Sequence, residues 1–325
     1  MTISNDMPSV LTRLGRLMVD RPIIPLILLL IGLVGLLEIM QPGIFNQRWL
    51  GNTVKFAIPL AMLAACQTLT MLTGGIDLSA GTVATITAFV TATLTPLLGA
   101  PAALMIALGC ALLTGLVNGF GVAVCRVHPL IMTLGTGLIA TGCLLVYQRH
   151  VIATGTEIPA FLVWLGIGRT WGLPNGLFVF LPFACLLIWA QRRTGFGRLL
   201  YAIGSNQAAA RLSGVRVWQV HLALYALSGT IAGLTGLLYL GIIKTASLSL
   251  ALPLDLPSVA AAVVGGTSIF GGRGGYGGTI VGALILTVLA TMLTLMQMPE
   301  GARRILFGLI ILAVTAVYIR LTAQN

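Results

Sequence analysis

The chain has 325 residues, 58% of them hydrophobic and only 8% charged, with a net charge of +11. Its mean hydropathy is +1.03, whereas a soluble domain carries about 25% charged residues, so an ordinary soluble globule is excluded. The basic residues are dispersed between apolar runs and do not gather with aromatics, which excludes nucleic acid as the reason for the charge.

The first apolar run, PIIPLILLLIGLVGLLEIM, is continuous and matches the roughly 20 residues of a transmembrane helix. A transmembrane barrel requires segments of about ten residues with alternating polarity. The expected fold is therefore an all-α polytopic membrane protein with about ten transmembrane helices, one or two of them broken or re-entrant. Spans are expected near 22–40, 50–73, 79–98, 101–125, 129–149, 175–190, 217–243, 258–272, 279–297 and 302–320. The run at 258–272 is short and Gly-rich, so a half-helix or re-entrant segment is expected there. Residues 150–174, with Gly155, Pro159, Gly166 and Pro174, read as a loop.

Residues 1–21, with Arg13, Arg16 and Arg21, read as a cytoplasmic segment because basic residues flank the inner end of a first span. That span is too long for a signal-peptide core and is expected to stay as an anchor. Residues 22–320 then form a single transmembrane domain, with a cytoplasmic loop at 191–216 and a cytoplasmic tail at 321–325. On this topology eleven of the 18 Lys and Arg residues lie inside, many of them in the 191–216 loop.

Between the second and third spans stands TGGIDLSAG, with Asp77 one of only 7 acidic residues. Gly74 and Gly75 are expected to break the second helix, and Asp77 and Ser79 to cap the third through its free N–H groups. A carboxylate there also suits the helix dipole. Non-helical backbone at membrane depth survives only where protein buries it or where it lines a cavity, so the stretch reads as a broken-helix hinge. Pathway candidates are polar or aromatic residues within spans: Asn118, Thr133 and Thr136, together with Asn52, Gln67, Thr70, Tyr225, Ser228 and Tyr239. Each of these also suits a helix-packing hydrogen bond.

Small residues recur four apart at Gly115 and Gly119, Gly229 and Gly233, Ala232 and Gly236, and Gly278 and Gly282. That spacing places them on one helix face and predicts close helix packing. The five cysteines lack a C-x-x-C pair and the three histidines lack an H-E-x-x-H pattern, so neither a metal site nor a disulfide framework is expected. No catalytic residue or cofactor site is expected either.

In the 191–216 loop, Asn206 is placed to cap a short helix over Gln207, Ala208, Ala209, Arg211, Leu212 and Ser213, which Gly214 would end at C′. Such a capped helix suits docking of a cytoplasmic partner. The only lysines, Lys55 and Lys244, follow Val54 and Ile243, so no Gly-Lys-Ser/Thr phosphate loop exists and any ATP-driven step needs another chain.

Four stretches carry a resemblance: TGGIDLSAG at 73–81, GLVNGFGVAVCRVHPLIMTLGTG at 115–137, TGFGRLLYAIGSNQAAARLSGV at 194–215 and VVGGTSIFGGRGGYGGTIVGALI at 263–285. In their order and spacing the chain, over roughly residues 45–320, resembles the membrane permease of bacterial ATP-binding-cassette sugar importers of the ribose type. The resemblance implies one half of an importer in the bacterial inner membrane, surrounded by lipid. A second permease subunit, cytoplasmic ATPase subunits and a periplasmic sugar-binding protein would complete it. It also implies that 206–215 resembles the region where the ATPase docks. Two positions differ from the family pattern: Gln207-Ala208 stands for a Pro-Glu pair, and Asp255-Leu256-Pro257 for Glu-Leu-Asp. An ion-coupled secondary transporter using Asp77, Glu38 or Asp255, and an intramembrane enzyme, are the competing readings.

Overall fold

The computed structural model describes residues 23–151, 155–299, 301, 302, 305, 306, 308, 309 and 312. The expected N-terminal segment with its arginines, most of the expected span 302–320 and the tail 321–325 lie outside the described residues.

Eight helices among the described residues are long and apolar enough to cross a membrane: α1 (Ile23–Met40), α2 (Gln47–Leu72), α3 (Ala80–Leu98), α4 (Ala100–Ala123), α5 (Pro129–Val151), α7 (Gly176–Arg193), α10 (Val217–Ile243) and α12 (Tyr276–Leu295). Between them lie the short helices α6 (Ala160–Ile167), α8 (Gly195–Ser205), α9 (Gln207–Leu212) and α11 (Asp255–Val264). A two-residue hairpin joins β1 (Arg169–Thr170) to β2 (Leu173–Pro174).

The centre is built from α2, α3 and α10. Every residue of α2 from Ala57 to Leu72 is buried, and so is nearly all of α3 up to Thr95. The other spans turn one stripe inward: in α5 only Thr133, Thr136, Gly137, Ala140 and Leu144 are buried, while Leu138 is 75% exposed. The outer faces are as apolar as the core, which is what a lipid solvent demands.

Small residues set how closely the centre packs. A side chain at Gly236 would overlap the Ala84 carbonyl of α3, one at Gly229 the Ala111 carbonyl of α4, and one at Gly115 the Tyr225 carbonyl of α10. Gly278 and Gly282 likewise meet the backbone of Gly265 and Ala261, locking α12 onto α11. Backbones in such contact gain dispersion that larger side chains would forfeit, the main attraction between helices where lipid removes the hydrophobic drive.

Three elements differ from the sequence expectation. The stretch 150–174 contains the apolar helix α6, whose eight residues are too few to read as a span. The 191–216 loop is largely helical, because α8 begins with Thr194 accepting from the Gly197 N–H and has an amphipathic sequence. The half-helix expected in the run 258–272 is present as the ten-residue α11, about 15 Å long and half of what a crossing needs. Only its bounds differ, shifted toward the N-terminus.

Candidate functional site

Helix α2 stops where the sequence places its glycines. Gly74 N–H donates to Met71 O (2.8 Å) and Gly75 N–H to Thr70 O (3.0 Å), with Gly74 left-handed at φ 78°. This is the paired-bond helix ending that favours glycine at C′. Gly75 is needed for a second reason, because a Cβ there would sit 2.9 Å from the Tyr225 hydroxyl. The chain then climbs back along α2: Gln67 Nε2 donates to Asp77 O (2.7 Å), and Asp77 N–H donates to Gln67 Oε1 (3.2 Å).

At the top of this return Asp77 is only 2% exposed. Its Oδ1 accepts from Ser79 Oγ (2.6 Å) and Ser79 N–H (3.1 Å), and its Oδ2 from Ser228 Oγ (2.6 Å) on α10. Asn118 on α4 donates to Ser79 Oγ (2.8 Å), and Thr136 on α5 donates to Asn118 Oδ1 (2.5 Å). Thr133 Oγ1 donates to Ile76 O (3.1 Å) and accepts from Leu78 N–H (3.2 Å). Four helices are thus tied to one returning segment.

The expected capping is corrected here. Asp77 accepts one backbone N–H, that of Ser79, and otherwise two hydroxyls, and Ser79 gives α3 no side-chain cap. The N–H of Gly81, in the first turn of α3, donates instead to Asp255 Oδ1 (2.6 Å) from the far side of the sequence. Ser79 is unavailable as a cap because its hydroxyl is shared between Asp77 and Asn118. Both carboxylates still lie at the positive end of α3, where the dipole favours them.

Gly74, Gly75, Asp77, Ser79, Asn118, Thr133 and Thr136 therefore converge at one junction. Apart from Gly74, all of them are buried in packed protein. Ser228 lies about midway along α10, which spans Val217 to Ile243, so the junction is deep within the bundle. Gln67, Tyr225 and Ser228 lie at the same junction. Asp255 was the member the sequence did not place; an acidic residue at the start of a helix was the available signal.

The second candidate region is separate, at the end of the bundle that carries the start of α10. Asn206 Oδ1 accepts from Ala209 N–H (3.0 Å) and opens α9. Val215 N–H donates to Ala210 O (3.1 Å) and Gly214 N–H to Arg211 O (3.0 Å), with Gly214 at φ 84°. Both ends of a six-residue helix are thus fixed, which explains how so short a piece holds its shape. Ala210 faces inward, while Gln207, Ala208, Ala209, Arg211, Leu212 and Ser213 are exposed, Leu212 to 91%. A groove of about 420 Å³ lies beside it, bounded by Leu199, Gly214, Arg216 and Val220.

Long apolar helices around a buried polar junction, with a half-length helix beginning at that junction, define a polytopic α-helical membrane protein of the kind from which transport pathways are built. Residues 50–315 match the family described as "Branched-chain amino acid transport system / permease component", and the chain belongs to that family of transport permease subunits. It is similar to the ribose import permease protein RbsC of Escherichia coli (strain K12), 34% identical over 287 residues that cover 87% of this chain and 89% of the relative. The fructose import permease protein FrcC of Rhizobium meliloti is 32% identical over 302 residues, covering 90% of this chain and 84% of the relative. The galactofuranose transporter permease protein YtfT of Escherichia coli (strain K12) is 34% identical over 269 residues, 80% and 76% of the two chains. No solved structure matches the chain significantly.

Proposed function

We propose that this chain is the permease subunit of an ATP-binding-cassette importer in the bacterial inner membrane, passing an uncharged sugar into the cytoplasm. A periplasmic binding protein delivers the sugar, a separate ATPase subunit supplies the motor, and a second permease subunit completes the pathway. The similarity to permeases named for ribose, fructose and galactofuranose supports the cargo class. The observation that supports the reading is α9, a short helix capped at both ends that leaves Leu212 91% exposed at the end of the bundle.

In this reading Asn206 to Gly214 dock the ATPase, and the 191–216 end is cytoplasmic, as are both termini. Arg192, Arg193, Arg198, Arg211 and Arg216 give that end a basic character that suits the positive-inside rule. Burying Leu212 in a partner contributes about 2 kcal/mol, or roughly thirtyfold in affinity. The junction at Asp77 acts as the hinge that ties α2, α4, α5 and α10 to the start of α3.

Leu212→Asp tests this directly. The side chain is outside the fold, so the variant should insert and melt like wild type, yet lose ATPase co-purification and binding-protein-stimulated ATP hydrolysis. A wild-type chain that never retains the ATPase, or a Leu212→Asp chain that retains it fully, overturns the docking assignment.

A further inference from the structure

Helix α10 ends at Ile243 with Lys244 left-handed at φ 58°, and the chain then turns back into the bundle through irregular turns, a 3-10 turn at Leu252–Leu254 and the start of α11 at Asp255. Ala246 and Leu250 pack among Ala88, Ala92, Leu237 and Leu240. Ala251 N–H donates to Thr85 Oγ1 (3.0 Å), and Asp255 reaches the Gly81 N–H (2.6 Å). The contacts thus descend α3 from Ala92 to Gly81, about 16 Å of helix, and end beside the Asp77 junction. Irregular backbone inside a bundle of membrane-spanning helices is tolerated only if protein buries it or water reaches it.

One side of this segment is buried, at Leu250 and Ala251, and the other is not. Thr245 and Ser249 are exposed, Ser247 and Asp255 half-buried, and Leu252 and Leu256 are 37% and 58% exposed. The Ser247 and Ser249 hydroxyls lie 3.3 Å apart. Asp255 Oδ1 is held by Gly81, while its Oδ2 accepts no hydrogen bond among the described residues and is not sealed in the core. A carboxylate oxygen that opens outward beside the Asp77 junction cannot face hydrocarbon without a cost of several kcal/mol.

We propose that residues 244–257 form a wall of the transport path, on which Thr245, Ser247, Ser249 and Asp255 present hydrogen-bonding groups in descending order to a polyhydroxylated cargo. The assignment rests on the importer reading above. Exposed hydroxyls suit a path, because each holds a sugar hydroxyl weakly enough to release it. Leu252 and Leu256, on either side of Asp255 in the chain, add exposed apolar surface beside these groups.

The test uses the full transporter, with its ATPase and binding protein, in proteoliposomes that take up sugar with the wild-type chain. Ser249→Cys is treated with a charged, membrane-impermeant methanethiosulfonate, and modification is located by mass spectrometry. Leu138→Cys, on the apolar outer face of α5, serves as the lipid-side control. The expected result is modification at position 249, none at 138, and loss of uptake only in the modified Ser249→Cys chain. Position 249 unmodified, as a surface covered by another copy would be, overturns the proposal, and so does modification without loss of uptake. Failure of wild-type uptake would instead sink the importer reading, so the two failures are distinguishable.

Discussion

Asp77→Ala is expected to destabilise the protein by about 3 kcal/mol or more and to abolish transport, whereas Asp77→Asn should lose about half as much. The alanine leaves the Ser79 N–H, the Ser79 hydroxyl and the Ser228 hydroxyl without their acceptor inside a site only 2% exposed. Each buried donor left unsatisfied costs about 1–3 kcal/mol, although the two hydroxyls recover part of this by turning to helix carbonyls. Asparagine keeps one oxygen for Ser79, and its amide can donate to the Ser228 hydroxyl, which accepts as well as donates. Thermal unfolding in detergent, followed by uptake in proteoliposomes, checks the order wild type, Asn, Ala. Equal stability and uptake for all three would mean that the junction is only a connector.

Gly236→Leu should be more damaging still, preventing accumulation of folded protein. The obstacle at Gly236 is the Ala84 backbone carbonyl, which no side-chain rotation can move aside. Overpacking of a well-filled core costs about 1–3 kcal/mol even where neighbours can adjust, and here α10 must leave α3. That separation would also draw Ser228 away from Asp77. Gly142→Ala is the matched control, since nothing lies within 4 Å of a Cβ at that position of α5; it should be neutral or raise stability by about 0.5 kcal/mol through helix propensity. Size-exclusion profiles of both variants separate the outcomes. A monodisperse Gly236→Leu protein with wild-type melting would refute the packing argument.

The parts of this architecture that were legible in the chain are those written locally. The TGG after an apolar run gives the end of α2 because only a left-handed residue closes that bond pattern. Asn206 and Gly214 likewise bracket α9 by side-chain and backbone chemistry that acts within a few residues. The small-residue seams were readable because four-residue spacing is a property of one helix, whatever it meets. What escaped was whatever depends on distant partners. Ser228 lies 151 residues from Asp77, and Asp255 lies 174 residues from Gly81. No local pattern says which carboxylate will reach which helix start, so local chemistry points to the neighbours Asp77 and Ser79 as caps of α3 and not to Asp255. The segment after Lys244 escaped for another reason. Its leucines and alanines have the composition of a span, yet the left-handed Lys244 and the turns and bends that follow it bring the chain back beside α3.

The most direct test of the importer reading is sugar accumulation by the purified chain reconstituted with its ATPase and a periplasmic sugar-binding protein. ATP supplied to the ATPase side should drive labelled sugar into the ATPase-side compartment, with hydrolysis stimulated by the sugar-loaded binding protein and no response to an uncoupler. Uptake that proceeds without ATP, or that collapses with an uncoupler while ATP is held constant, would contradict the account and identify an ion-coupled carrier instead.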